Sequence, residues 1–323
     1  MSSWFEHHGV RSSSISTTHG GAWLTVAGVL VSQANDLLGA SYQLYRHAET
    51  NHTIIRTIGY AIPAVLHTHV QAVSPTTCFA STRVLRETLR RRSLVTAASQ
   101  AEVELRRPVK VLSRRDSRAI NPSDLHWLYK TFAYTTAATD KNALGVVGLT
   151  KDFPSQADLT QFMTSFYSNA KAATFTVVPV NGGEDNLNPT DEGSIDVQYS
   201  SAMAYPTPNT FYSVGGGGEW SDDGEPLPGD MYHELLTFML DLPKIPQTVS
   251  ISYGFPEHAF PEEYATAVCN LFAQLGVRGV SVLFPSGDDG VGPGNCVQFI
   301  PEFPSSCTSG VFPISSDNYT NSV

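Results

Sequence analysis

TVSISYG (residues 248–254), PEEYATAVCNLFAQLG (261–276) and VSVLFPSG (280–287) read in turn as strand, helix and strand. The same order runs upstream. GVVGL (145–149) precedes the helical DLTQFMTSFYSNA (158–170), and FTVVPV (175–180) precedes a second helix around IDVQYSSAM (195–203). FYSVGGGG (211–218) is then followed by the helical MYHELLTFMLDL (231–242). Such alternation specifies an α/β domain, a mostly parallel sheet with helices on both faces. Its chemistry is expected where strands end and helices begin.

The first 80 residues have a different grain. AWLTVAGVLV (22–31) and YAIPAVLHTHVQAV (60–73) favour strands. Between them, SQANDLLGASYQLYRH (32–47) opens on Ser32 and repeats Leu37, Leu38, Tyr42, Leu44 and Tyr45 at helical spacing, which gives an α+β module. From 81 to 118 the pattern dissolves into an Arg-rich stretch, RETLRRRSLV and ELRRPVKVLSRRD, of the kind proteases nick.

Charge divides at the same place. Residues 1–118 carry 14 Lys and Arg against 7 Asp and Glu, whereas 119–323 carry 6 against 23, within a chain of net charge −10. The halves should attract each other, unless the basic stretch is only a solvated linker. The acidic majority argues against a nucleic-acid partner. With 41% apolar and 15% charged residues the chain has the makings of a folded core, and no apolar run approaches the length of a membrane span. The opening MSSWFEHHGVRSSS lacks the basic and apolar regions of a secretory signal. Cys78, Cys269, Cys296 and Cys307 contain no CxxC pair, so zinc and thioredoxin-like readings are poor. Cys296 and Cys307 are placed to close a short loop by a disulfide, and Cys269, among apolar helical neighbours, reads as a buried small hydrophobe.

Glu192 and Asp196 lie four residues apart at the start of a helix, DEGSIDVQYSSAM. That spacing puts both carboxyls on one helical face, where one can hold a proton while the other orients it. Taken alone, such a pair more often forms a solvated face. In VLFPSGDDG a strand ends in a Gly-rich turn presenting Asp288 and Asp289; a protonated carboxyl there can donate to a developing oxyanion, and a plain turn is the alternative. Gly215 to Gly218 lack the spacing and the lysine of a nucleotide loop and read as a flexible loop on the substrate side. His67 and His69 have no third ligand, which favours a structural role. No GxSxG elbow is present.

Together these segments resemble the sedolisin family of serine-carboxyl peptidases, particularly its fungal tripeptidyl-peptidase-like members. LGVVGLTKDFPSQADLTQF, FTVVPVNGG, EGSIDVQY, TVSISYG, LGVRGVSVLFPSGDDGVGPGNC and FIPEFPSSC follow in family order over about residues 120–307. The resemblance implies a subtilisin-like sheet in a partial peptidase domain over 119–307. It makes 1–80 part of a ferredoxin-like activation prodomain, 81–118 the basic linker cleaved on activation, and 308–323 a divergent tail. By the same resemblance Glu192 is the general base, Asp196 orients it, and Asp288 stabilises the oxyanion. Ser252, Tyr253 and Gly254 line the cleft and pair with an extended peptide. The implied partners are a peptide or protein substrate and the chain's own prodomain. No cofactor is expected in these residues, since the family's calcium site would follow them. The full-length ancestor would be extracellular or vacuolar and active at acid pH.

The departures are equally definite. After FPSSC the family continues to a Gly-Thr-Ser motif that holds the nucleophile, whereas these residues read TSGVFPISSDNYTNSV. The expectation is therefore a peptidase by ancestry that cannot cleave peptides alone, from a partial gene model, an altered splice form or a degenerate copy. The alternative is a non-catalytic, prodomain-like inhibitor of a related peptidase.

Overall fold

The computed structural model describes residues 2–18, 23–46, 53–77, 120–149, 152–185, 188–215, 231–285, 301–308 and 311–314. At the front, helix α1 (Ser2–His7) leads into an antiparallel ribbon of β1 (Ile15–Thr18) and β2 (Trp23–Val26), in which Ile15 faces Val26. Helix α2 (Val31–Leu38) ends where Gly39 turns left-handed at φ 52°, a conformation that costs glycine little. The chain then forms a second antiparallel ribbon, β3 (Gln43–Arg46) with β4 (Thr53–Arg56). Phe5, Val10, Leu37 and Leu38 make the core of this α+β unit.

Sequence periodicity misplaced three features here. Leu44 and Tyr45 lie in β3 and not in the helix, because Gly39 stops it first and leaves Leu44 66% exposed. Of the described residues in the 22–31 run, only Trp23–Val26 are strand. The 60–73 run forms a single 3-10 turn, Ala64–Leu66, capped by Pro63, which has no N–H to give a ladder. The basic stretch 81–118 lies outside the described residues.

The second unit starts with helix α3 (Pro122–Leu128), whose cap Asn121 accepts from the Asp124 N–H while Asp124 accepts from the Asn121 N–H. Strand β5 (Leu144–Gly148) follows and is buried throughout. Its side chains alternate between two cores, as a strand covered on both faces must. Val146 joins Leu159 and Met163 of helix α4 (Gln156–Phe166). After strand β6 (Phe175–Val180), helix α5 (Asp191–Ala204) adds Val197 and Ala202 to that face, and strand β7 (Asn209–Val214) adds Phe211. Val147 points the other way, toward Leu235, Leu236 and Met239 of helix α6 (Met231–Asp241). Beyond strand β8 (Thr248–Ile251) and the short β9 (Phe255–Pro256), helix α7 (Glu262–Val277) completes this face with Val268, Leu271 and Phe272.

Strand β10 (Ser281–Pro285) comes next, then the short β11 (Glu302–Phe303), which pairs antiparallel with β9, and finally β12 (Val311–Ile314). Among the described residues the main sheet has six strands in the order β12, β10, β8, β5, β7, β6, and every neighbouring pair is parallel. The α/β expectation thus holds, and residues read as a tail supply the edge strand beside β10. Among the described residues no helix is long and apolar enough to cross a membrane. The front unit meets the second where the Trp23 ring packs on His233 of α6, 3.9 Å between ring centroids and tilted by 56°.

The cysteine expectation is corrected. Cys269 is not a lone buried hydrophobe: it forms a disulfide with Cys307, 38 residues on, which ties α7 to the segment after β11. Cys307 is therefore unavailable to Cys296, which lies outside the described residues together with Cys78. Local sequence spacing favoured the shorter loop, but the packing of β11 against β9 carries Cys307 back to α7. Closing a loop of this length restricts the unfolded chain by about 4 kcal/mol. A Cys269→Ser, Cys307→Ser variant, or the native chain under reductant, should lose stability of that order in urea denaturation.

Candidate functional site

Helix α5 begins under tight local control. Thr190 caps it, its hydroxyl accepting the Gly193 N–H at 3.2 Å. The same hydroxyl accepts the Phe153 N–H at 3.1 Å, and the Thr190 N–H donates to the Phe153 carbonyl at 2.8 Å. The loop after β5 is thereby stitched to the first turn of α5. Gly193 is required at this contact, since a Cβ there would lie 2.6 Å from the Phe153 carbonyl carbon and 2.8 Å from its nitrogen.

That stitch fixes the positions of three carboxyl groups. Asp152 precedes Phe153 in the loop, while Glu192 and Asp196 stand one turn apart on α5. Glu192 is 4% exposed and Asp152 6%. Glu192 sits in the first helical turn, where the aligned backbone N–H groups favour a negative charge.

The end of β8 closes the arrangement. The Ser252 hydroxyl donates to Asp196 Oδ1 at 2.8 Å, and the next residue, Tyr253, donates its phenol to Asp152. The Tyr253 carbonyl in turn accepts from the Tyr232 hydroxyl of α6 at 3.1 Å. Burial pushes the Tyr253 phenol well above its ordinary value, and the negative charges of Asp152, Glu192 and Asp196, with the bond to Asp152, push it further. All three acids therefore act on one hydroxyl. Tyr232 is raised in the same way, by burial first and then by the charge of Glu302.

Four of the residues singled out in the sequence, Glu192, Asp196, Ser252 and Tyr253, thus come together. Gly254 follows them, and a Cβ on it would collide with the Glu302 carboxylate. Asp288 and the run Gly216 to Gly218 lie outside the described residues. Sequence reading missed Asp152 and Thr190. The signal for Asp152 was present, an acid just past a wholly apolar strand in LGVVGLTKDFP, where an α/β sheet gathers its chemistry. His67 serves structure, its ring nitrogen 3.1 Å from the Ile62 carbonyl. Among the described residues no group of three or more His, Cys, Asp or Glu side chains is arranged to hold a metal ion.

Residues 1–79 match the family model described as the Pro-kumamolisin activation domain. Over 327 aligned positions the chain is 29% identical to tripeptidyl-peptidase SED2 of Arthroderma otae, an alignment covering 94% of this chain and 52% of that protein. The chain is thus similar to an activation domain at its front and to fungal tripeptidyl-peptidases over most of its length. Probable tripeptidyl-peptidase SED3 proteins of Trichophyton verrucosum and Arthroderma benhamiae are each 30% identical over 324 positions, with the same coverage. The chain spans about half the length of these curated relatives. The likeness to these tripeptidyl-peptidases extends over both units, since the aligned share reaches far beyond the activation domain.

Two outcomes follow from this geometry. Gly193→Ala must force α5 away from the backbone of Phe153, and overpacking of this kind costs about 1–3 kcal/mol, to be read from urea unfolding. The Tyr253 and Tyr232 phenols, raised in the fold, contribute stability that is complete below their unfolded value of 10.0 and is lost as pH rises from there through the folded value. Unfolding midpoints should hold up to about pH 10 and fall steeply from there to about pH 12, and Tyr253→Phe should flatten the fall.

Proposed function

We propose that this chain carries the acid–base half of a serine-carboxyl peptidase that acts on extended peptides. The observation that supports it most is the Ser252 hydroxyl held 2.8 Å from Asp196, at the carboxyl end of β8, with Glu192 one turn away on α5. Glu192 takes the proton of a nucleophilic hydroxyl, Asp196 orients it, and Asp288 donates to the oxyanion. Carboxylates in these roles suit acid pH, because a general base works best near the operating pH. Residues 252–254 receive the peptide backbone. Tripeptidyl-peptidase relatives favour release of tripeptides from an amino terminus. The activation-domain match over 1–79 and the basic stretch after it support a zymogen cut between about residues 81 and 118, and the Cys269–Cys307 disulfide fits an oxidising, extracellular or vacuolar setting.

The serine itself is not found in residues 1–323, which contain no Gly-Thr-Ser segment. The expected result is no tripeptide release by this chain alone between about pH 3 and pH 6; turnover there would require a nucleophile elsewhere in it. Joined at residue 307 to the second half of the Arthroderma otae relative, it should cleave. Glu192→Gln should then lower kcat about 100-fold or more, and a full rate in that variant would dismiss the reading.

The opposite charges of the two halves support a second reading, in which the front unit inhibits a related, complete peptidase. Inhibition of such an enzyme by the whole chain, insensitive to Glu192→Gln, would favour it.

A further inference from the structure

Asp152 has no part in the mechanism above, yet it is buried, accepts the Tyr253 phenol, and belongs to the loop stitched to the cap of α5. The connections form a closed ring. From Asp152 one covalent step leads to Phe153, whose backbone makes both bonds to Thr190. Thr190 caps the helix bearing Glu192 and Asp196; Asp196 accepts from Ser252; Ser252 adjoins Tyr253, which returns to Asp152. Backbone bonds and the Thr190 cap make the links between Phe153 and α5. Two links of the ring, Ser252–Asp196 and Tyr253–Asp152, join a hydroxyl to a carboxyl. Tyr253 is 2% exposed and its carbonyl is held by Tyr232, so the phenol has little freedom to turn elsewhere.

Gly148 keeps this loop close to the sheet. A Cβ there would lie 2.9 Å from the Asp152 carbonyl and would also strike the Phe211 ring. The loop therefore lies where only a glycine at the strand end permits, and its acid faces the strand that carries Ser252.

We propose that Asp152, acting through the Tyr253 hydroxyl, is a positioning residue of this site, a third carboxylate, itself buried, that sets the orientation and the protonation of the Glu192–Asp196 pair. This rests on the reading of that pair as working acids. The physical claim is separate: all three carboxyls act on the one buried Tyr253 phenol, so the charge on Asp152 changes what the other two hold. A tie that merely braced the fold would alter melting and leave their protonation alone.

The test is a carbon-13 titration of side-chain carboxyls in the 323-residue chain, with Glu192 and Asp196 assigned by Glu192→Gln and Asp196→Asn. Asp152→Asn keeps the size and an acceptor oxygen but removes the charge. It should lower the titration midpoint of Glu192 or Asp196 by about half a unit or more, because a neighbouring negative charge no longer opposes ionisation. Tyr253→Phe keeps the ring, takes the donor from Asp152 and raises the Asp152 midpoint. Asp152 then stays neutral to higher pH, and the same pair should shift downward. If Asp152→Asn does not fold, Tyr253→Phe decides alone. Both midpoints unmoved within about 0.2 unit, with a lowered melting temperature, would make Asp152 a brace and overturn the proposal. The underlying reading fails on a different result, full turnover by the Glu192→Gln chimera, so the two failures cannot be confused.

Discussion

Two hydrogen bonds between Thr190 and the backbone of Phe153, with no side chain at position 193 to keep them apart, hold the first turn of α5 against the loop after β5. A helix can approach a loop this closely only where its own N–H groups are satisfied, and Thr190 meets both needs with one hydroxyl. Separate the two and Asp152 leaves Tyr253, Asp196 swings from Ser252, and Glu192 loses its buried setting. The carboxyl cluster is therefore a property of one contact more than of the acids themselves. The sheet below supplies the rigidity, because β5 and β8 are hydrogen-bonded neighbours with cores on both faces.

Burying several acids in one place is costly unless each finds donors. Hydroxyls supply part of that need here. Ser252 and Tyr253 each give a proton to a different carboxyl, and the helix start adds its N–H dipoles. A hydroxyl donates without bringing a positive charge. These bonds hold the Asp196 and Asp152 carboxyls in place.

The parallel sheet was legible because β5, β6, β8 and β10 are short apolar runs spaced by helices, a pattern with few other solutions. Glu192 and Asp196 were legible through their i,i+4 spacing. What sequence could not give was the partner of each group. That Ser252 offers its side chain to Asp196 depends on α5 crossing beside β8, 56 residues away along the chain. Asp152 carried no pattern of its own and became significant only through Tyr253, 101 residues away. The front unit was the least readable part, since its strands span only four residues each and Gly39 and Pro63 interrupt the runs that periodicity joined.

The Cys269–Cys307 bond makes one covalent circle of everything between α7 and the segment after β11, the strand β10 included. A single nick at any peptide bond inside that circle opens the backbone without freeing either piece. In a milieu of proteases the two would travel as one molecule, and a sizing column would register the cut only after a thiol was added.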